Sequence, residues 1–301
     1  MPSDRRILGL KPETLFQAFK YSIYTLIFIN FVYFLHEEYL ALAARFPEGI
    51  GIEHAFDAFS QSADSFGWLV LLLIFELQTY VISDEKLKGA LKWTLNILAG
   101  LCYVLIIQAL RGYINHMEVI FDFAPYVAGP ACDAIGAVSS IALDIYEFPA
   151  LTAENCTMFE LGETFHNQHL NAFTSAELLP YLESLAVTDV VNAGTWVLIV
   201  IVLWIDIFLQ LRRELTERLY KWNGVLKGIL YFTLIACCSY WAWLGDFMGF
   251  WDAFLWIVAF FFIEMNLFKW HEAAPADEDE EEYARDAAVE RAEIEAEQGR
   301  R

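Results

Sequence analysis

Six long apolar stretches constrain the fold of this chain more than any other feature of its sequence. They fall at about 20–40, 66–83, 91–111, 194–211, 226–246 and 250–269. A helix needs about 20 mostly apolar residues to cross the hydrocarbon core of a bilayer. Because the chain is also 57% hydrophobic, with a mean hydropathy of +0.40, the pattern predicts an all-α integral membrane protein with six transmembrane helices. The lipid bilayer is then its first partner.

The distribution of basic residues predicts the orientation of these helices. Lys and Arg concentrate in three regions, at 5–20, 86–92 and 212–227, and are absent from 112–194. Because loops rich in Lys and Arg stay on the cytoplasmic side, both termini are expected to be cytoplasmic. The chain is therefore expected to be a multi-pass protein of an inner or plasma membrane.

The same reasoning divides the chain into five regions. The first is a cytoplasmic segment at 1–19, and the second, at 20–111, contains transmembrane helices one to three with an outer loop at 41–65. An extracytoplasmic subdomain follows at 112–193, then transmembrane helices four to six at 194–270, and finally an acidic cytoplasmic tail at 271–301. The net charge of −21 repels nucleic acid and concentrates cations, although an organism with generally acidic surfaces gives the same composition. The tail is read either as a solvated helix or as a docking segment for a basic partner.

Three carboxylates lie inside the apolar stretches, at Glu76, Asp206 and Glu264. A carboxylate at the bilayer centre costs about 2.5–3.5 kcal/mol on insertion scales, and such groups usually mark ion pathways. Gln78 and Asn266 follow two of the acids by two residues and carry oxygens that can replace part of a cation's hydration shell. The pattern predicts a cation channel or transporter, with a homo-oligomer as one way to close the path.

A second interpretation of the acids is structural. Lys20, Lys92 and Lys227 each begin a helix that is adjacent in sequence to an acid-bearing helix. A lysine stem can extend along a helix, so each ammonium could pair with a carboxylate and fix the helix register. The chain would then be a non-catalytic integral subunit or scaffold of a larger membrane complex. Both interpretations remain open at this point.

The lysines and acids also suggest an internal repeat of three helical hairpins. The first helix of each hairpin begins with one of the three lysines, and the second carries Trp68, Trp196 or Trp256 ahead of its acid. Internal repeats in membrane proteins commonly place functional groups at the interface between repeats. The acids are therefore expected at comparable positions in three related units.

The segment at 112–193 is expected to be a small subdomain closed by a disulfide. Cys132 and Cys156 are the only cysteines outside the predicted membrane helices, and an oxidising compartment favours their joining. Apolar spacing predicts short helices near 117–127, 137–143 and 175–185, the last with Ser175 as its N-cap.

One group in this segment suggests a metal. Glu163, His166 and His169 recur at a spacing of three, which on a helix places them along one face and would allow them to bind Zn²⁺. Solvated polar side chains are the alternative interpretation. The sequence has no Ser or Cys nucleophile pattern and no Gly-rich phosphate loop, so we expect neither an enzyme nor an organic cofactor.

Overall fold

The computed structural model describes residues 12–46, 49–51, 54–82, 86, 88–159, 163–211 and 217–261, and the chain is mostly helical. Within these described residues, seven α-helices follow one another: α1 Pro12–Arg45, α2 Ala55–Ala58, α3 Ser60–Glu76, α4 Gly89–Ile120, α5 Leu179–Leu211, α6 Glu217–Leu244 and α7 Phe247–Phe261. A π-helical turn, Leu77–Val81, extends α3. The predicted helical membrane character is thus confirmed in its coarse form.

In the part of the chain that the structure describes, four helices are long and apolar enough to cross a membrane. They are Thr14–Ala43 within α1, Gly89–Ile120, Leu179–Ile205 within α5, and Lys221–Leu244 within α6. The apolar helix Phe247–Phe261 is shorter, and α3 has 17 residues before its π-helical turn begins. Several of these helices keep large apolar side chains exposed, such as Trp93, Leu101 and Phe232, which is the surface that a lipid environment would cover.

Two of the helices extend well past their apolar cores. At 32 and 33 residues, α4 and α5 measure about 48–50 Å at a rise of 1.5 Å per residue, which exceeds the bilayer core of about 30 Å. The extra turns are held by packing, because Tyr113, His116 and Ile120 of α4 are buried. The apolar pattern alone therefore underestimated both helices.

Consecutive long helices pack against each other, with α3 on α4, α4 on α5 and α5 on α6. The contact between α3 and α4 is close at Gly67, where an added Cβ would lie 2.8 Å from Ile106 Cγ1. Small residues allow this approach of two helix backbones. The predicted threefold hairpin repeat stays a prediction.

Between α4 and α5 the chain forms a small sheet. Its strands are β1 Ala124–Pro125, β2 Ser140–Ile141, β3 Thr164–Asn167 and β4 Ala172–Ser175, in the order β1-β3-β4-β2. β3 pairs antiparallel with β1 and β4, whereas β2 runs parallel to β4. Phe173 is fully buried at the centre, among apolar residues that include Ile141 and Leu151. The predicted disulfide between Cys132 and Cys156 is present in this subdomain and joins two short 3-10 helices.

Of the three short helices predicted in this segment, the one at 137–143 is wrong. The other two agree with the structure only in part, because 117–120 is the end of α4 and 179–185 is the start of α5. α4 reaches Ile120 without a break, the stretch at 137–143 contains β2, and Ser175 ends β4. Pro125 interrupts helix formation after α4, and pairing around Phe173 favours strands over helices that would expose the same apolar residues. One local detail survives, because the Ser175 hydroxyl accepts a hydrogen bond from the Leu178 N–H at 3.2 Å, just before α5.

The chain divides into two compact units, Met1–Ile23 with Trp256–Arg301, and Tyr24–Leu255. In the first unit, the described residues are the beginning of α1 and the end of α7. The second unit contains the sheet subdomain, α2 to α6, and most of α1 and α7. Apart from the contact of Lys20 with Tyr21, which lies within the first unit, the contacts described below lie within the second unit.

Candidate functional site

The predicted intramembrane acids are only partly within the described structure. Glu76 is the last residue of α3 and is 5% exposed, and Gln78 is half-buried on the π-helical turn that follows. Asp206 lies in α5, but its side chain is outside the described part of the chain, as are Glu264 and Asn266 altogether. Glu76 with Gln78 is therefore the one predicted acid–amide pair that the structure places.

Glu76 lies where the helix changes its hydrogen-bonding pattern. The Leu77 N–H donates to the carbonyls of Ile74 and Leu73, whereas the Ile82 N–H reaches back five residues to the Leu77 carbonyl at 2.9 Å. Such π-helical turns are rare and are frequent at functional sites, because they interrupt the regular ladder of backbone bonds. The change of pattern directly after Glu76 makes this carboxylate a candidate functional residue.

The three predicted lysine partners differ in burial. Lys20 is fully buried, with its ammonium nitrogen 4.9 Å from the centroid of the Tyr21 ring. Lys227 is half-buried, and Lys92 is exposed on α4. The burial of the Lys20 ammonium fits the structural interpretation, whereas the exposure of Lys92 does not support a buried ion pair between Lys92 and Glu76.

The predicted metal group rests on a helix that the structure does not contain. His166 lies on β3 and His169 lies in the following turn, where its Nε2 is 3.4 Å from Asp122 Oδ2. The His166 ring packs 5.3 Å from the Phe173 ring. Among the described residues, no three His, Cys, Asp or Glu side chains are grouped in a way that could hold a metal ion.

A carboxylate that the sequence did not single out is bonded to the first turn of α3. Glu38, on α1, is fully buried and accepts hydrogen bonds from the Gln61 N–H at 2.7 Å, from the Ser62 N–H at 3.1 Å and from the Ser62 hydroxyl. The first N–H groups of a helix have no partner inside the helix, and their positive end favours a negative charge. Glu38 thus caps α3 from a neighbouring helix.

Two further carboxylates, Asp64 and Asp252, interact with each other, and Asp64 also lies near Glu38. Asp64 Oδ1 accepts a hydrogen bond from Trp68 Nε1 at 3.0 Å, and Asp252 Oδ1 on α7 accepts one from Asn30 Nδ2 at 3.0 Å. Both side chains are partly buried, and Asp64 lies within electrostatic range of both Asp252 and Glu38. We call Glu38, Asp64 and Asp252 the acid group. Each hydrogen bond to it comes from a neutral donor.

A second set of acids surrounds the turn between α6 and α7. Asp246 Oδ1 accepts the Gly249 N–H at 2.9 Å, which caps α7. Burial raises the pKa of the Asp246 carboxyl, the Gly249 bond lowers it, and the charge of Asp144 raises it again. Asp144 itself accepts a hydrogen bond at 3.0 Å from the Tyr181 hydroxyl.

The sequence interpretation missed the acid group because its members stand at the polar edges of apolar stretches. Glu38 is next to Glu37, a pattern typical of a solvated helix end, and Asp64 precedes the predicted span at 66–83. Two local signals were available: the serines at 60 and 62, which are typical of a helix start, and the four-residue spacing of Asp64 and Trp68, which places both on one helix face. The contact of Asn30 with Asp252 joins residues 222 positions apart, and no local pattern indicates it.

The chain shows no match to a protein-family model, to a curated protein or to a solved structure.

Proposed function

We propose that the protein conducts or transports cations across a membrane, and that the acid group and Glu76 are successive binding positions for the ion. The carrying observation is that the charge of Asp252 acts on Asp64, while the hydrogen-bond donors that the described residues show for these two carboxylates, Trp68 and Asn30, are neutral. Two partly buried like charges favour a positive neighbour or a shared proton. A cation passing between them supplies that positive charge.

The position of these groups along α3 supports a path rather than a single binding site. Asp64 and Glu76 are twelve residues apart on one helix, which corresponds to about 18 Å at 1.5 Å per residue. That distance is more than half of a bilayer core of about 30 Å. Two acids at this separation divide the hydrocarbon thickness into shorter steps for an ion.

The finer topology belongs to the same proposal. Six transmembrane helices, with α3 and α7 completing the four long ones, cytoplasmic termini, and the disulfide-linked subdomain on the outer side would place the acid group toward the outside and Glu76 deeper in the membrane. Asp206 and Glu264, with Asn266, are proposed to continue the path. The net charge of −21 supports attraction of cations, and a homo-oligomer is one way to enclose the path.

The test is cation flux into proteoliposomes containing the full chain. Asp64→Asn and Asp252→Asn keep size and hydrogen bonding but remove charge, and we expect each to lower flux by about tenfold or more because the ion loses an ionic ligand. Asp122→Asn is the matched control, since Asp122 is exposed in the sheet subdomain with 65% of its side chain accessible. Unchanged flux in both folded variants would refute the proposal.

A second candidate function is a non-catalytic integral subunit of a larger complex. The fully buried Lys20 favours it, because a buried ammonium is typical of a structural charge interaction that fixes helix register. Purification in mild detergent distinguishes the two functions. A stoichiometric membrane partner, together with no flux from the isolated chain, supports the subunit, whereas flux from the isolated chain excludes a purely structural role.

A further inference from the structure

Among the buried polar atoms near the start of α3 that lack a hydrogen-bond partner within the described residues, three belong to side chains that lie close together. They are Ser60 Oγ, His116 Nε2 and the Tyr146 hydroxyl. Ser60 is fully buried and His116 is 5% exposed. Buried polar atoms in folded proteins nearly always have a partner, either another protein group or an ordered water. Three such atoms in one place therefore point to a bound group.

The three side chains meet where α4 passes the start of α3. The His116 and Tyr146 rings are 5.2 Å apart between centroids, and the Ser60 hydroxyl lies near the Tyr146 phenol without forming a hydrogen bond of good geometry. Gly112, one turn before His116, brings α4 against Ser60, because a Cβ at this glycine would lie 2.7 Å from Ser60 Cβ. The site thus has contributions from α3, α4 and the loop that carries Tyr146.

The surrounding charges select the kind of molecule that the site can take. The Arg45 guanidinium lies 5.5 Å from the centroid of the Tyr146 ring and donates to the Asp57 carbonyl at 2.8 Å. Glu38 and Asp189 act on Tyr146 from nearby with negative charge. An anion would be repelled by these carboxylates and a cation by the guanidinium. A neutral molecule that both donates and accepts hydrogen bonds suits the site best.

The protonation of Tyr146 supports the same choice. Burial raises the pKa of its phenol well above the ordinary value, and the charges of Asp189 and Glu38 raise it further. Tyr146 therefore retains its proton and can donate. Ser60 can donate or accept, and a neutral imidazole has one donor and one acceptor nitrogen. Together these groups match the donors and acceptors of a water molecule.

We infer that Ser60, His116 and Tyr146 form a buried hydration site that holds an ordered water molecule bridging α3, α4 and the loop at 144–147. A buried water typically makes two to four hydrogen bonds to polar groups that would otherwise be unsatisfied, and this site offers three. A metal ion is disfavoured, because the described residues contain no group of three metal-ligating side chains. The inference does not depend on cation transport.

The first test is a double-mutant cycle on the full chain in detergent, with the midpoint of thermal unfolding as readout. If a water bridges the groups, Ser60→Ala and Tyr146→Phe each lower the midpoint, and the double variant loses less than the sum because both act through one water. Tyr39→Phe is the control, since Tyr39 is 63% exposed, and its midpoint should not move. Raised or unchanged midpoints in the single variants, or strictly additive losses, would overturn the inference.

The second test needs no variant. A map of the wild-type protein at a resolution that shows ordered waters should contain a density peak at about 2.7–3.2 Å, ordinary hydrogen-bond distance, from at least two of the three atoms. A map of that quality without such a peak overturns the site. Neither result bears on flux, so a failure here and a failure of the proposed transport remain distinguishable.

Discussion

A buried carboxylate lies at each end of α3, and its surroundings differ between the two ends. At the start, Glu38 reaches across from α1 and accepts three hydrogen bonds from Gln61 and Ser62. At the other end, Glu76 is the last residue of α3 and directly precedes a π-helical turn. A negative charge is favoured near a helix start and disfavoured near a helix end, by about 0.3–1 kcal/mol each way. Hydrogen bonding to a helix start therefore explains the position of Glu38, whereas the position of Glu76 along α3 gives its charge no such stabilisation from helix N–H groups.

The largest effect in this comparison is expected from Glu38→Ala. The change leaves the Gln61 and Ser62 donors buried without an acceptor, so we expect a loss of about 3 kcal/mol in the free energy of unfolding. Glu38→Gln keeps one acceptor oxygen and should lose less. Chemical unfolding in detergent measures both.

The neighbouring Glu37 is the control for this prediction. It accepts a hydrogen bond from the Tyr33 hydroxyl at 2.6 Å in an exposed position, and Glu37→Ala should change stability by less than about 1 kcal/mol. Equal losses for the Glu37 and Glu38 variants would contradict the capping role of Glu38.

The close packing of α4 against the start of α3 gives the next effect. In Gly112→Ala, the new Cβ would lie 2.7 Å from Ser60 Cβ and 2.8 Å from the Phe56 carbonyl oxygen, and overpacking of this kind costs about 1–3 kcal/mol. Gly100, on the same helix, has nothing within 4 Å of such a Cβ. Gly100→Ala should stabilise the helix by about 0.5–1 kcal/mol, so the same unfolding assay should give opposite signs. Destabilisation of similar size in both variants would contradict the close contact.

Asp246 tests whether a carboxylate that accepts a hydrogen bond from the first turn of a helix also stabilises a second helix, α7. Asp246→Ala removes the cap of α7 and should cost about 1 kcal/mol, whereas Asp246→Asn keeps an acceptor and should largely preserve the cap. The hydrogen-exchange rate of the Gly249 N–H measures whether its hydrogen bond to residue 246 is present. Faster exchange in the Asn than in the Ala variant would contradict this role.

The same residue predicts a dependence of stability on pH. Because the pKa of Asp246 is raised in the folded protein, the folded state binds its proton more strongly than the unfolded state. This contribution is complete below the unfolded pKa of about 3.9 and is lost as the pH rises through the folded value. The wild type should therefore lose stability relative to Asp246→Asn as the pH rises from about 4 towards neutrality, as measured by thermal unfolding. A constant difference over that range would contradict the shift.

The fold could be predicted from sequence wherever hydropathy alone decides it. Each predicted span overlaps a described helix, because a long apolar stretch in a membrane has no alternative to the helix for its backbone hydrogen bonds. The disulfide was predictable for a similar reason, since only Cys132 and Cys156 lie outside the spans. The sheet was not predictable, because strands of two to four residues leave too short a pattern to identify.

The candidate site was harder to predict than the fold. Glu76 was found because an acid inside an apolar stretch is conspicuous in the sequence. Asp64 and Asp252 look like ordinary helix-end acids, and their proximity depends on how α1, α3 and α7 come together. Their contacts with Trp68 and Asn30 define the acid group. The sequence thus identifies a carboxylate that is costly to bury in a membrane, but it does not indicate which carboxylates lie close together in the fold.

The smallest change in stability, with a large change in activity, is expected from Glu76→Gln. The helix ends contribute less than about 1 kcal/mol to a charge near the end of α3, and Gln keeps the size and an acceptor oxygen of Glu, so the free energy of unfolding should change by less than about 1 kcal/mol. If Glu76 carries the ion, flux should fall by about tenfold or more in the same preparation. Glu76→Asp keeps the charge on a shorter stem and should retain more flux than the Gln variant. Equal flux for the Asp and Gln variants would show that the charge of Glu76 is not what the path uses, and the contrast between the two ends of α3 would then be one of packing alone.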